Sequence, residues 1–262
     1  MPALYDILAQ DGAGGSRVEV PSDASDDNME GSHATIRRLQ DNRTICLDRS
    51  AVMEQVEVRW RALFDRLGVD AGAAGSALAE LVGAYSEDGR HYHTLDHIAA
   101  LLHLLDRHGQ GLVDRKAVEL AIFFHDAVCV PTRSDNEAES AALASARLTA
   151  LGLPAALVAR VADLILATRH GTEHAEPDDA DLALLVDLDL SILAADRPRY
   201  AAYAQAIRSE YAVYPDVVYL PGRRHVLGQF LARPRIYRTS RLHELWDAAA
   251  RANLTWELAE LG

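Results

Sequence analysis

Side chains able to ligate a metal recur on three otherwise apolar segments. ELAIFFHDAVCV, residues 119–130, sets His125 beside Asp126, with Ile122, Phe123 and Phe124 before them and Ala127, Val128 and Val130 after. An ionised carboxylate in such surroundings costs many kcal/mol unless a compensating charge is near. A divalent cation can supply that charge, and so can an arginine; a neutral histidine needs only a backbone partner. RHYHTLDHIAALLHLL places His93 and His97 four apart, one helical turn on one face. LALLVDLDLSILAA sets Asp189 on the face of Leu182, Leu185, Val186, Ile192 and Leu193, with Asp187 on the flank. Asp189 is thus expected to be the acid that most needs a cation. A single site would account for all three polar interruptions.

The elements that must carry these residues read as helices. From Ala51 onward apolar residues recur at three and four, in VMEQVEVRWRALFDRLG closing on Gly68 and HTLDHIAALLHLLDRHG closing on Gly109. Asp114 is placed to cap the segment that leads to His125, and Ser134 with Glu137 three residues later has the form of a capping box. Pro154 suits a first turn. Four further helical segments follow, RPRYAAYAQAIRSEYAV and PDVVYLPGRRHVLGQFLA among them. Period-two alternation is nearly absent. The expected fold is all-α, one globular multi-helix domain over 51–262 with helices crossing around one core. Residues 1–50, rich in Gly, Ser, Asp and Asn, read as a loosely ordered arm.

At 49% hydrophobic and 25% charged, 262 residues suffice for a large core. Cys46 and Cys129 cannot form a disulfide framework, which fits a reducing, cytoplasmic location. Apolar stretches are broken well short of a membrane span. The net charge of -13 argues against a nucleic-acid polymer as partner. Yet residues 197–251 hold ten arginines against four acids, a solvated face or an anion-attracting rim. The series Tyr200, Tyr203, Tyr211, Tyr214 and Tyr219 has the spacing of helix packing.

His93, the adjacent His125 and Asp126, then Asp189, in that order on successive helices, resemble the H…HD…D signature of the HD-domain metal-dependent phosphohydrolase superfamily. The stretches RHYHTLDHI, FHDAV, DNEAESA, LILATRH and DLDLSILAADRPRYAAYAQAIRSEY resemble one bacterial branch of predicted phosphohydrolases, from about Val52 to the C-terminus. The resemblance implies an HD-type fold, a divalent metal held by His93, His125, Asp126 and Asp189, and a small phosphorylated metabolite or nucleotide as substrate. Two imidazoles and two carboxylates balance a 2+ ion and suit Mn, Fe, Co, Ni or Zn better than Ca, with Mg a further candidate. An ion that accepts six ligands keeps two positions for water and substrate, the arrangement that phosphate-ester hydrolysis uses.

Supporting roles are open to more than one reading. His97 is a metal ligand, to a second metal in particular, a donor that supports the ligands from behind, or a capped surface histidine. His170, at a helix C-terminus, meets the dipole, a second metal or a phosphate. Glu137 is a cap or a catalytic base, and Asp126 itself is a catalytic candidate. Asp96 reads as a dipole-favoured surface acid. Arg90, Arg133 and Arg169 are candidates to steer a phosphate, Arg90 from beside the reacting centre. Nucleotidase branches can carry an acid one turn after the HD pair where this chain has Cys129, which leaves the proton-transfer residue open. Beside a phosphohydrolase with one or two divalent ions stand two other readings: an HD-like di-iron oxygenase, and a non-catalytic, metal-stabilised ligand-binding module. Oligomeric state is not legible.

Overall fold

The structure, a computed structural model, describes residues 49–169 and 179–262. Apart from Arg49 and Ser50, which begin the first helix, the expected arm falls outside those residues, as does His170. Ten α-helices and one short 3-10 helix are present among them, with no strand. In chain order the α-helices are α1 (Arg49–Leu67), α2 (Ala71–Ala84), α3 (Leu95–His108), α4 (Arg115–Phe124), α5 (Asn136–Ala150), α6 (Ala155–Leu166), α7 (Ala180–Asp189), α8 (Arg197–Glu210), α9 (Asp216–Ala232) and α10 (Ser240–Glu260). The 3-10 helix, Leu190–Ala194, continues α7. No helix among the described residues is long and apolar enough to cross a membrane. The all-α expectation holds.

Helix α4 is the axis of the core. Every residue from Ala117 to Phe124 is buried, because apolar side chains surround it on all sides. Asp114 caps its start by accepting from Ala117 N–H, as its position predicts. The Trp60 ring lies across Phe64, Phe123 and Phe124, fixing α1 on α4. Its indole N–H donates to Ala74 O, which docks α2 as well. Helix α2 is not anticipated by the periodicity: three glycines in fourteen residues weaken its intrinsic propensity. Its Asp70 cap and its packing on α1 compensate. Gly68, at φ +71°, ends α1 in the left-handed region. Gly109 is demanded by closeness, since a Cβ there would meet Leu105 O at 2.4 Å.

Two local expectations are corrected. Helix α5 starts at Asn136 with Asp135 at its cap position, so Ser134 lies outside it and no capping box joins Ser134 to Glu137. The reason is competition: the Asn136 amide side chain bonds Val130 N–H and C=O, and the Ser140 hydroxyl bonds Val128 N–H, which set the preceding turn. The more deeply buried acid of α7 is Asp187, not Asp189. Asp187 accepts from the backbone N–H groups of Arg238 and Thr239 and from the Thr239 hydroxyl, at the start of α10. It is satisfied without a cation.

Behind this layer, α8, α9 and α10 meet at a buried ion pair. Arg223 donates to both oxygens of Glu257, which also accepts from the Tyr200 hydroxyl, and all three are buried. Tyr200, Tyr203 and Tyr219 are buried packing residues, as their spacing predicts. Removing one partner of such a pair strands the other charge. Glu257→Ala is expected to lower stability by about 3–5 kcal/mol in urea unfolding.

Candidate functional site

Three helix ends converge on one point. His97 is in the first turn of α3, His125 caps the C-terminus of α4 with Asp126 next to it, and Asp189 is the last residue of α7. Helix C-termini carry partial negative charge, so the ends of α4 and α7 favour a cation where they meet. His125 Nε2 lies 2.9 Å from Asp126 Oδ2 and 3.6 Å from Asp189 Oδ1. His97 Nε2 lies 3.2 Å from Asp189 Oδ1, 3.6 Å from Asp126 Oδ2 and 3.2 Å from His125 Nε2. One donor atom from each of the four residues falls within 4.8 Å of every other. Ligands bonded to one ion at about 2.1 Å stand roughly 3.0 Å apart at a right angle and roughly 3.4 Å apart at a tetrahedral one. The donor set therefore suits a divalent ion in chemistry and spacing.

The rings are held from behind. A carbonyl can only accept, so His125 Nδ1 carries the proton donated to Ile122 O at 2.9 Å. In the neutral ring Nε2 is then the lone-pair atom facing the cluster. Burial pushes the His125 imidazole down, but Asp126 and Asp189 outweigh it and raise it to about 10. Burial pushes Asp126 up, yet His125 and His93 drive it far below the carboxylate range. His97 is lowered, chiefly by burial. Taken together, the cluster retains positive charge against its carboxylates.

His93 is placed differently from the set that the family resemblance implies. Helix α3 begins only at Leu95, so His93 precedes it and the one-turn relation to His97 does not apply. Its ring lies 6.0 Å from that of His97 and turns to a second group, His93, Cys129 and Glu210, whose donor atoms also lie within 4.8 Å of one another. His93 Nδ1 is 2.7 Å from Glu210 Oε2. Glu210 Oε1 accepts from the N–H groups of His91, Tyr92 and His93 at 2.9, 2.8 and 2.9 Å. Thr94, the cap residue of α3, makes no side-chain capping bond, so this carboxylate from the end of α8 holds the approach to His97 instead. Glu210 has no local signal in sequence: it reaches across 117 residues.

The other predicted residues divide clearly. Arg90 is an internal clamp, donating through one nitrogen to His93 O and Asp126 O and through another to Ala127 O. It ties the approach to α3 to the exit from α4 and has 4% side-chain exposure, which leaves it little surface for a ligand. Arg133 is surface-exposed and bound to Asp135 and Glu139. Glu137 is partly buried, and burial, with Asp126 adding to it, raises its carboxyl above the usual range. Arg169 is exposed and acts electrostatically on Glu137 and Asp135. Asp96 is an exposed first-turn acid. No protein-family model, curated protein or solved structure matches the chain.

Burial raises the Glu210 carboxyl, but the His93 ring and the amides of His93 and Tyr92 more than reverse this and bring it to about 2. A depressed folded-state value gives stability that is present above the unfolded value and lost as pH falls through the folded one. Wild type is expected to exceed Glu210→Gln in unfolding free energy at pH 7. Between about pH 5 and pH 2 that advantage should shrink by on the order of 3 kcal/mol, read from urea melts.

Proposed function

We propose that the protein is a metal-dependent phosphohydrolase of HD-superfamily type, acting on a small phosphorylated metabolite or nucleotide in a reducing, cytoplasmic setting. The observation that carries this is the meeting of four donor atoms from three helix ends. A contrast supports it. The buried acids Glu119, Asp181, Asp187 and Glu257 accept from guanidinium groups or backbone N–H groups. Asp126 and Asp189 turn oxygens to imidazole nitrogens, and the four groups together have the donor composition that suits a cation.

His97, His125, Asp126 and Asp189 would hold the ion. Bound there, a divalent ion supplies a Lewis acid and a water of lowered pKa. The chain's own groups supply the rest. The Ile122 carbonyl keeps His125 in the tautomer that offers Nε2, and Arg90 keeps the two ligand-bearing segments in register. Glu137, with its raised carboxyl beside the Asp126 charge, is the group suited to carry a proton at its carboxylate oxygen. Arg169 is the exposed guanidinium nearest in effect to Glu137 and suits an anionic substrate.

The test is metal analysis of the purified chain and a panel of phosphomonoesters and nucleotides with added Mn, Co or Ni. Wild type should turn over at least one substrate only with metal. Asp126→Ala should lose more than about 100-fold, beyond the 10–100-fold typical of a group one layer removed from a metal. Equal activity of the two across the panel rejects the reading. A melting temperature that falls on chelation, with no turnover of any substrate, assigns the ion a stabilising role in place of a catalytic one.

A further inference from the structure

A groove of about 580 Å³ lies between α3 and α8, bordered by the 3-10 helix and lined also by Trp246 of α10. That is the size of a small-molecule site. His97, in the first turn of α3, and Arg107, in its last, both line it. Ten residues of α-helix make the groove at least about 15 Å long. It starts at the metal-ligating cluster, because His97 belongs to both and Ser191 and Ile192, which also line it, directly follow Asp189.

The charge of the groove is opposite to that of the chain. The protein carries -13 overall. The groove is lined by Arg107 and Arg199, with His91 and His103, against Asp96 as its single acid. Arg59, Arg115, Arg133, Arg160 and Arg208 each hold a carboxylate. Arg107 and Arg199 are exposed, and their guanidinium groups have no such partner among the described residues. Arg199, in the first turn of α8, acts electrostatically on Tyr92, whose ring lies 4.9 Å from that of His97. The lining also includes small apolar residues, Ala100, Ala194 and Ala202 among them, which leave room for the body of a ligand. Arg199 also belongs to the arginine-rich stretch 197–251, most of whose other described partners are internal, as with Arg223 and Arg251.

We propose that this groove is the substrate channel of the cluster and that it takes an elongated organic phosphate bearing a second anionic group. The phosphoryl group lies at the His97 end within reach of Arg199, the uncharged body over the alanines, and the second anion at Arg107. The proposal rests on the cluster being the reacting centre. It narrows the substrate class from any phosphate ester to one with two separated anionic groups, because a single phosphate would leave Arg107 unused.

Calorimetric titration of the full chain with inorganic phosphate, a hexose monophosphate and a hexose bisphosphate tests it, in the presence of Co(II). Wild type should bind the bisphosphate about tenfold more tightly than the monophosphate. Arg107→Ala should erase that preference, and Arg199→Ala should weaken both esters by about tenfold. Both side chains are exposed, so unchanged melting temperatures verify that the variants fold. A bisphosphate preference unchanged in Arg107→Ala, or no ester binding by wild type, overturns the proposal. Separate Co(II) titration of wild type and His125→Ala tests the cluster itself. Cation binding without any effect of the arginine variants removes the channel alone; anion binding that needs the arginines, in a chain that takes up no cation, removes the cluster reading and the channel built on it.

Discussion

Everything at the centre of this molecule follows from the difficulty of keeping carboxylates inside a helical core. Asp126 and Asp189 are drawn together by the ends of α4 and α7, where the helix carbonyls already bias the potential negative. Two imidazoles face them at 2.9 to 3.6 Å. The pair is tolerable only if positive charge shares the space, whether carried on the rings or brought by an ion. That requirement explains why the cluster lies where three helices end and not along their lengths. Helix ends expose polar groups that need partners in any case.

The fold solves the same problem elsewhere by other means, and the comparison gives the cluster its meaning. Asp181 caps two amides before α4, Asp187 caps the start of α10, and Glu257 is neutralised by Arg223. Each joins elements distant in sequence, and each spends its hydrogen-bonding capacity doing so. Glu210 and Arg90 do this next to the cluster, one gathering amides and the other gathering carbonyls. Between them they fix the short segment before α3 and the exit from α4. The cluster's rings therefore rest on a frame held by many hydrogen bonds from distant segments, which is what precise placement requires.

The groove along α3 gives the cluster a direction. A chain of strongly negative net charge repels anions from most of its surface. Two arginines without a carboxylate partner among the described residues create a local exception along the groove that His97 lines, and alanines in the same lining leave it room. Arg208, Arg223 and Arg251 of the arginine-rich C-terminal stretch are engaged by carbonyls and carboxylates of the fold, so part of that bias is structural.

Helical class, the burial of α4, the capping by Asp114 and the suspicion that His125, Asp126 and Asp189 belong together were all legible in the sequence, because periodicity and buried polar residues are local signals. Helix α2 was not, since its glycines hide a helix that only packing on Trp60 secures. Nor was the choice of His97 over His93 as the neighbour of the other three, which turns on α3 starting at Leu95. Nor was Arg90 as a clamp, which depends on where Asp126 O and Ala127 O come to lie. Glu210 lies furthest from any sequence signal. Its partners are three consecutive amides more than a hundred residues away, and a backbone amide has no residue type to read. Side-chain chemistry is written along the chain, whereas the meeting of backbone groups and distant carboxylates exists only after the helices have packed.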